Sequence, residues 1–234
     1  MGVIRRQSFY SSIFLYLGIA IGFILTLFVY PKYLRPSELG IVRTFIDFST
    51  LWAPYLLLGI PNTYVRYFPF FKENPQENKA FKTLSVLVPL IGTVVFLLLF
   101  LWLKPLVVST FEESGPEFIP FIDLVPALVI VLSGVQLIRA YFRSDLNVSA
   151  PNFYESVLLR VLLIGSVLIY TFLGYEIEQL IYLVLASHVL ILGLMIIHYA
   201  VQGNLKLGKL KFENKKLLTE LLKYGLFVIA NALS

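Results

Sequence analysis

Six stretches of this chain are each apolar for long enough to cross a lipid bilayer, and nothing else in the sequence limits the fold as much. Crossing the hydrocarbon core as a helix takes about 20 mostly apolar residues at about 1.5 Å each. Runs of that length or more fall at about 9–31, 39–69, 83–108, 119–142, 151–173 and 177–201, and a further apolar stretch begins near Leu217 and continues to Ser234. Within hydrocarbon every backbone N–H and C=O must be satisfied inside the segment, so spans of this kind fold as helices. Composition agrees. Of the 234 residues 58% are apolar and 14% charged, with 20 Phe and 14 Tyr and a mean hydropathy of +0.82. A soluble fold of this size has no interior large enough for that surface. The sequence predicts an all-α polytopic membrane protein with six transmembrane helices plus the start of a seventh. Its parts are a six-helix unit over 1–201, a basic connector over 202–216 and the beginning of another helix over 217–234. Arg5 and Arg6 precede the first run as they would in a signal peptide, but the run continues to Tyr30 without a small-residue cleavage site, which makes it a retained span.

The connectors give a direction. Arg5, Arg6, Lys72, Lys79, Lys82, Arg139, Arg143, Lys206, Lys209, Lys211, Lys215 and Lys216 fall on one side, and Lys32, Arg35 and Lys104 on the other. Lys and Arg accumulate on the cytoplasmic side of short loops, so the expected N-terminus is cytoplasmic. The opposite loops are acidic, with Glu112, Glu113, Glu117, Glu176 and Glu178. The net charge of +5 is therefore a topology signal, and nucleic acid is not an expected partner. The lysines between 206 and 216 are also placed to attract anionic membrane lipids.

Intramembrane charges point to a protein-lined or water-filled interior. In the second span Arg43, Asp47, Thr50, Pro54 and Pro61 step by 4, 3, 4 and 7 and share one face. The span is also too long, about 46 Å if straight, and Pro54 and Pro61 are expected to kink it, each freeing a carbonyl. Arg43 and Asp47 read either as an anchoring pair near the interface or as cavity lining, and Arg66 as a snorkelling side chain or a substrate contact. The fifth span groups Asn152, Glu155, Ser156, Arg160, Ser166 and Tyr170 on a broad face, a second candidate cavity wall. Gly18 and Gly22 in the first span suit close helix packing. Asp123 reads as a helix cap, and His188 as a packing histidine or a proton relay.

Familiar catalytic signatures are missing. There is no cysteine and only two histidines, and no G-x-S-x-G, H-E-x-x-H, G-x-G-x-x-G or Walker sequence occurs. With short connectors throughout, the chain is expected not to be an enzyme and to carry no metal or cofactor.

Certain short motifs resemble a known family. They are Arg5-Arg6-x-Ser8 opening the first span, Tyr30-Pro31-x-Tyr33-Leu34 at its exit and Glu38-x-Gly40 before the second. Gly59-Ile60-Pro61 and Arg66-Tyr67-Phe68-Pro69 then close the second span, and Lys223-Tyr224-Gly225 comes at the start of the seventh. Together they resemble the N-terminal half of bacterial polysaccharide and oligosaccharide flippases of the multidrug/oligosaccharidyl-lipid/polysaccharide exporter superfamily. The resemblance implies one lobe of a two-lobed transporter in a bacterial inner membrane, alternately open to either side, that moves an undecaprenyl-diphosphate-linked oligosaccharide for surface polysaccharide synthesis. It implies Arg43, Arg66 and Arg160 as contacts for the anionic cargo, Asp47 or Glu155 for H⁺ or Na⁺ coupling, and other polysaccharide-assembly proteins as further partners. It also implies that the sequence to Ser234 is part of a longer protein. Two other readings stand beside it: a multidrug exporter of the same superfamily, and a non-transporting enzyme or scaffold of glycan assembly.

Overall fold

The computed structural model describes residues 2–203, 206–210, 219–221 and 223–224. Most of the stretch 217–234, and Lys211, Lys215 and Lys216 of the basic connector, lie outside the described residues. Among the described residues the chain is helical and contains no strand. We label its long helices α1 (Arg5–Tyr33), α2 (Pro36–Leu56), α3 (Ile60–Lys72), α4 (Pro75–Ser114), α5 (Pro116–Ser144), α6 (Ser149–Leu173) and α7 (Ile177–Val201). Five are long and apolar enough to cross a membrane alone, and α2 with α3 makes a sixth if the bent pair is one span.

Local chemistry sets the ends. Glu38 accepts the Arg35 N–H at 2.8 Å as α2 begins, and Asn74 caps α4 by accepting from Gln76 and Glu77 N–H at 3.0 and 3.3 Å. Gly174, with φ of 63°, turns the chain out of α6, and the Glu176 N–H donates to the Gln179 side chain to open α7. The 40 residues of α4 rise about 60 Å, more than a bilayer with its headgroups, so its ends project.

The second span is broken where its length and prolines require. α2 and α3 meet at 44° across Leu57, Leu58 and Gly59. Leu58 and Gly59 both sit in the left-handed region, with φ of 49° and 73°, and Pro61 occupies the first turn of α3, where its missing N–H is no loss. Carbonyls left over at the end of α2 find other company. Ser133 of α5 donates to the Ala53 carbonyl at 3.0 Å. The Leu56 carbonyl abuts Gly92 of α4 so closely that a Cβ there would lie 2.0 Å from the oxygen. Close approach of two backbones is what glycine permits here.

α5 packs against α2, α3 and α7; α4 lies against the bent pair on one side, and α6 lies against α7 on the other, with α1 outside it. One apolar core joins α2, α4, α5, α6 and α7 with Leu25 and Tyr30 of α1, and a second, largely aromatic one gathers Tyr64, Phe68, Phe71, Phe81, Tyr141 and Tyr199 where α3, α4, α5 and α7 converge. The outer surface stays apolar, with Trp102 76%, Phe172 75% and Tyr16 73% exposed. Water does not tolerate such a surface on a soluble monomer, whereas hydrocarbon does.

A polar groove and a basic pocket joined by one ion pair

α1 and α6 meet along their small and polar residues. Ser149 donates through its hydroxyl and its N–H to the Gln7 side chain at 2.5 and 3.3 Å, and Asn152 donates to Ser11 at 2.5 Å. Gly18 admits the Ser156 backbone, since a Cβ there would come within 2.6 Å of it. Arg160 donates to the Gly18 carbonyl and lies over Gly22, where a Cβ would meet the guanidinium at 2.9 Å. The Gly18–Gly22 pair thus does the packing work expected of it. The fifth-span stripe, by contrast, is not one cavity wall. Asn152 and Ser156 face α1, Ser166 hydrogen-bonds Ser187 of α7 at 3.1 Å, and Tyr170 donates to Glu38 of α2 at 2.9 Å. Each polar group finds a neighbouring helix, as buried polar atoms in apolar surroundings must.

What remains of the stripe opens onto a groove of about 790 Å³ between α1, α2, α6 and α7. Asp47, Glu155, Arg160 and His188 line it with Thr26 and Tyr30 from α1, set in a wall that is otherwise apolar, with Phe23, Leu27, Ile46 and Leu163. Two stretches of wider π-helical turn border it, Leu25–Val29 in α1 and Phe153–Leu158 in α6. Such turns skew the periodicity of their helices and often accompany functional sites. His188 is buried, and its Nδ1 lies 2.8 Å from the Val184 carbonyl. That carbonyl only accepts, so Nδ1 carries the hydrogen and the other ring nitrogen is the acceptor in the neutral ring.

The other expected site residues fall elsewhere. Arg43 is exposed one turn from Asp47 and within electrostatic reach of Tyr30 at the groove, but the anchoring Arg43–Asp47 ion pair does not form. Arg66 lies off the groove on α3, with its guanidinium 4.3 Å from the centre of the Tyr224 ring. Asp123 does not cap a helix. It sits in the 3₁₀ stretch Pro116–Leu124 and pairs with Lys104 of α4 at 2.5 Å.

A second cavity of about 190 Å³ sits at the bend. Pro54, Gly59, Pro61 and Asn62 form one wall, and Gln136, Arg139 and Arg143 of α5 the other. Both prolines of the expected kink therefore border it. Arg139 forms an ion pair with Glu155 of α6, its Nε donating to Oε1 at 2.7 Å. The pair touches both cavities, Arg139 from the pocket and Glu155 from the groove. Counting charges by side places Arg139 and Arg143 with a connector, although the apolar run to 142 already contains Arg139. The helix in fact carries on to Ser144, and their spacing of four on that helix was the signal available.

On the far side of α2 lies an apolar cleft, also about 190 Å³, between Phe48, Trp52 and Leu56 and the α4 residues Gly92, Phe96 and Phe100. The Trp52 indole nitrogen is buried there without a hydrogen-bond partner among the described residues. No group of three or more His, Cys, Asp or Glu suited to a metal occurs among the described residues; His198 bonds Tyr154 at 3.1 Å and Gln202 at 2.9 Å instead.

Several helices long and apolar enough to span, around a groove with charged walls, fit a multi-pass membrane protein. No family model, curated protein or solved structure matches the chain. The flippase resemblance accordingly rests on the sequence motifs.

Proposed function

We propose that the chain is the N-terminal lobe of a lipid-linked oligosaccharide flippase. In this reading it has six spans and the start of a seventh, lies in a bacterial inner membrane and keeps its N-terminus in the cytoplasm. The observation that carries the reading is the groove: four helices surround it, and Asp47, Glu155 and Arg160 stand on its walls. A cargo with an anionic head and a polar glycan needs a charged, hydrated path beside the hydrocarbon, and a groove with that lining supplies one. Arg160 and, at the margin, Arg43 would meet the anionic head. Asp47 is the better candidate for H⁺ or Na⁺ coupling, because Glu155 is already held by Arg139. The bend in the second span suits an element that rocks between two openings. The site works by binding and moving charge, without bond cleavage in the cargo.

The test uses the complete protein in its own cells. Arg43→Ala and Asp47→Asn are expected to insert at wild-type levels yet lower surface polysaccharide. Wild-type polysaccharide in both variants would contradict the assignment, and efflux of cationic dyes without glycan loss on deletion would favour a multidrug exporter.

A further inference from the structure

The pocket at the bend has a charge imbalance that the groove does not explain. Arg139 and Arg143 lie one turn apart on α5 and line the same cavity of about 190 Å³, and like charges at that spacing repel. A single carboxylate, Glu155, pairs with either of them among the described residues. The nearest other acid in sequence, Asp145, accepts from the Tyr199 hydroxyl at 2.8 Å. The rest of the lining that bears polar side chains, Asn62, Gln136 and Tyr55, is uncharged, and the start of α3 adds the positive end of a helix dipole. Arg143 is exposed and borders the cavity with no carboxylate of its own among the described residues.

We propose that this pocket binds a phosphate-type oxyanion, and that the bound anion takes Arg139 from Glu155 and so releases α6 from α5. Two guanidiniums at one cavity suit the several acceptor oxygens of a phosphate, which they can grip with paired N–H donors. The Arg139–Glu155 pair is then a latch with a built-in competitor, because Glu155 holds the donors that the anion needs. Its release leaves α6 attached elsewhere, through Ser166 and Tyr154 to α7 and through Tyr170 to α2. α1 travels with α6. All of its hydrogen bonds to other helices among the described residues go there. Anion binding at the bend would thereby widen or narrow the groove, whose wall includes Glu155. The inference holds whatever cargo the groove carries. A phosphate in this pocket has two natural sources, a lipid headgroup or a soluble phosphate compound.

The sequence contains no cysteine, so introduced ones are unique reporters. The full chain with Leu15→Cys on α1 and Ile130→Cys on α5, both partly exposed, is spin-labelled in dodecyl maltoside micelles, whose headgroups carry no phosphate, and the α1–α5 distance is read as inorganic phosphate is added. Phosphorus NMR line broadening reports binding separately. Phosphate is expected to bind and to shift the distance, and Arg143→Gln to weaken binding at least about tenfold, the loss of one charge-assisted contact. Arg143→Lys should recover part of the affinity, and Glu155→Gln should show the shifted distance without phosphate. Phosphatidic acid in phosphate-free buffer is the second arm: a shift there alone assigns the site to a headgroup, and a shift with inorganic phosphate assigns it to a soluble anion. Binding of neither source, or undiminished binding by Arg143→Gln, overturns the site. Binding with an unchanged distance overturns the latch.

Discussion

The two faces of α2 make cavities of opposite character from residues that are neighbours in sequence. Asp47 faces the polar groove, while Phe48 and Trp52 face an apolar cleft against α4. Farther along, Pro54 borders the basic pocket and Leu56 the apolar cleft, with Tyr55 touching both. On one side Asp47, Glu155 and Arg160, which need hydration or partners, stand among apolar residues such as Phe23, Leu27, Ile46 and Leu163. On the other a space is left where the bend brings the Leu56 carbonyl onto Gly92, and side chains around that contact cannot close up completely. A kinked helix in a membrane can thus carry a wet side and a dry side together.

The largest effect should come from the contact that shapes the dry side. Gly92→Ala is expected to destabilise the fold by about 3 kcal/mol, because the added carbon meets backbone oxygen and not a side chain that can move. Gly193→Ala, where a Cβ meets nothing within 4 Å, should change little. Thermal unfolding of detergent-solubilised protein distinguishes the two, and equal tolerance would mean that α2 and α4 are farther apart than described.

The wet side should respond next. A double-mutant cycle with Arg139→Ala and Glu155→Ala is expected to give a coupling of about 1 kcal/mol, since both side chains retain some exposure and solvent weakens the pair. A coupling near zero would separate the groove from the pocket. A smaller effect is expected where α1 meets α6. The Ser11–Asn152 bond should couple by about 0.6 kcal/mol, the usual scale for hydrogen bonds between membrane helices. Smallest of all is Trp52→Phe in the cleft. The indole N–H has no partner to lose among the described residues, so stability should change by no more than about 0.5 kcal/mol. A larger loss would reveal an acceptor for that N–H.

Much of this was legible in the sequence. Apolar run length located the spanning segments, and the spacing of Arg43, Asp47, Thr50 and Pro54 put all four on one exposed face of α2. The second span was long and proline-bearing, and it bends. The fifth span misled, because a polar stripe looks the same whether it faces water or a polar stripe on another helix. Ser11 and Gly18 supplied that partner for Asn152 and Ser156, and only the packing shows it. The π-helical turns at Leu25–Val29 and Phe153–Leu158 were invisible to a period of 3.6. Arg139 and Arg143 were hidden for another reason: counted as cytoplasmic loop charges, they did not read as side chains of a helix that continues to Ser144. The apolar cleft had no sequence signal at all, because Phe48, Trp52 and Phe96 at helical spacing look like ordinary core.

If the faces of α2 differ as their linings do, the groove around Asp47 is wet and the cleft around Trp52 is dry. Single cysteines at Asp47 and Val95, introduced into the full-length protein, would test it by labelling with a charged, water-soluble maleimide in intact membranes. Asp47→Cys is expected to be modified, and Val95→Cys, on the cleft wall, to be modified only by a lipid-soluble maleimide. Equal labelling at both positions by the charged reagent, or at neither, would contradict it.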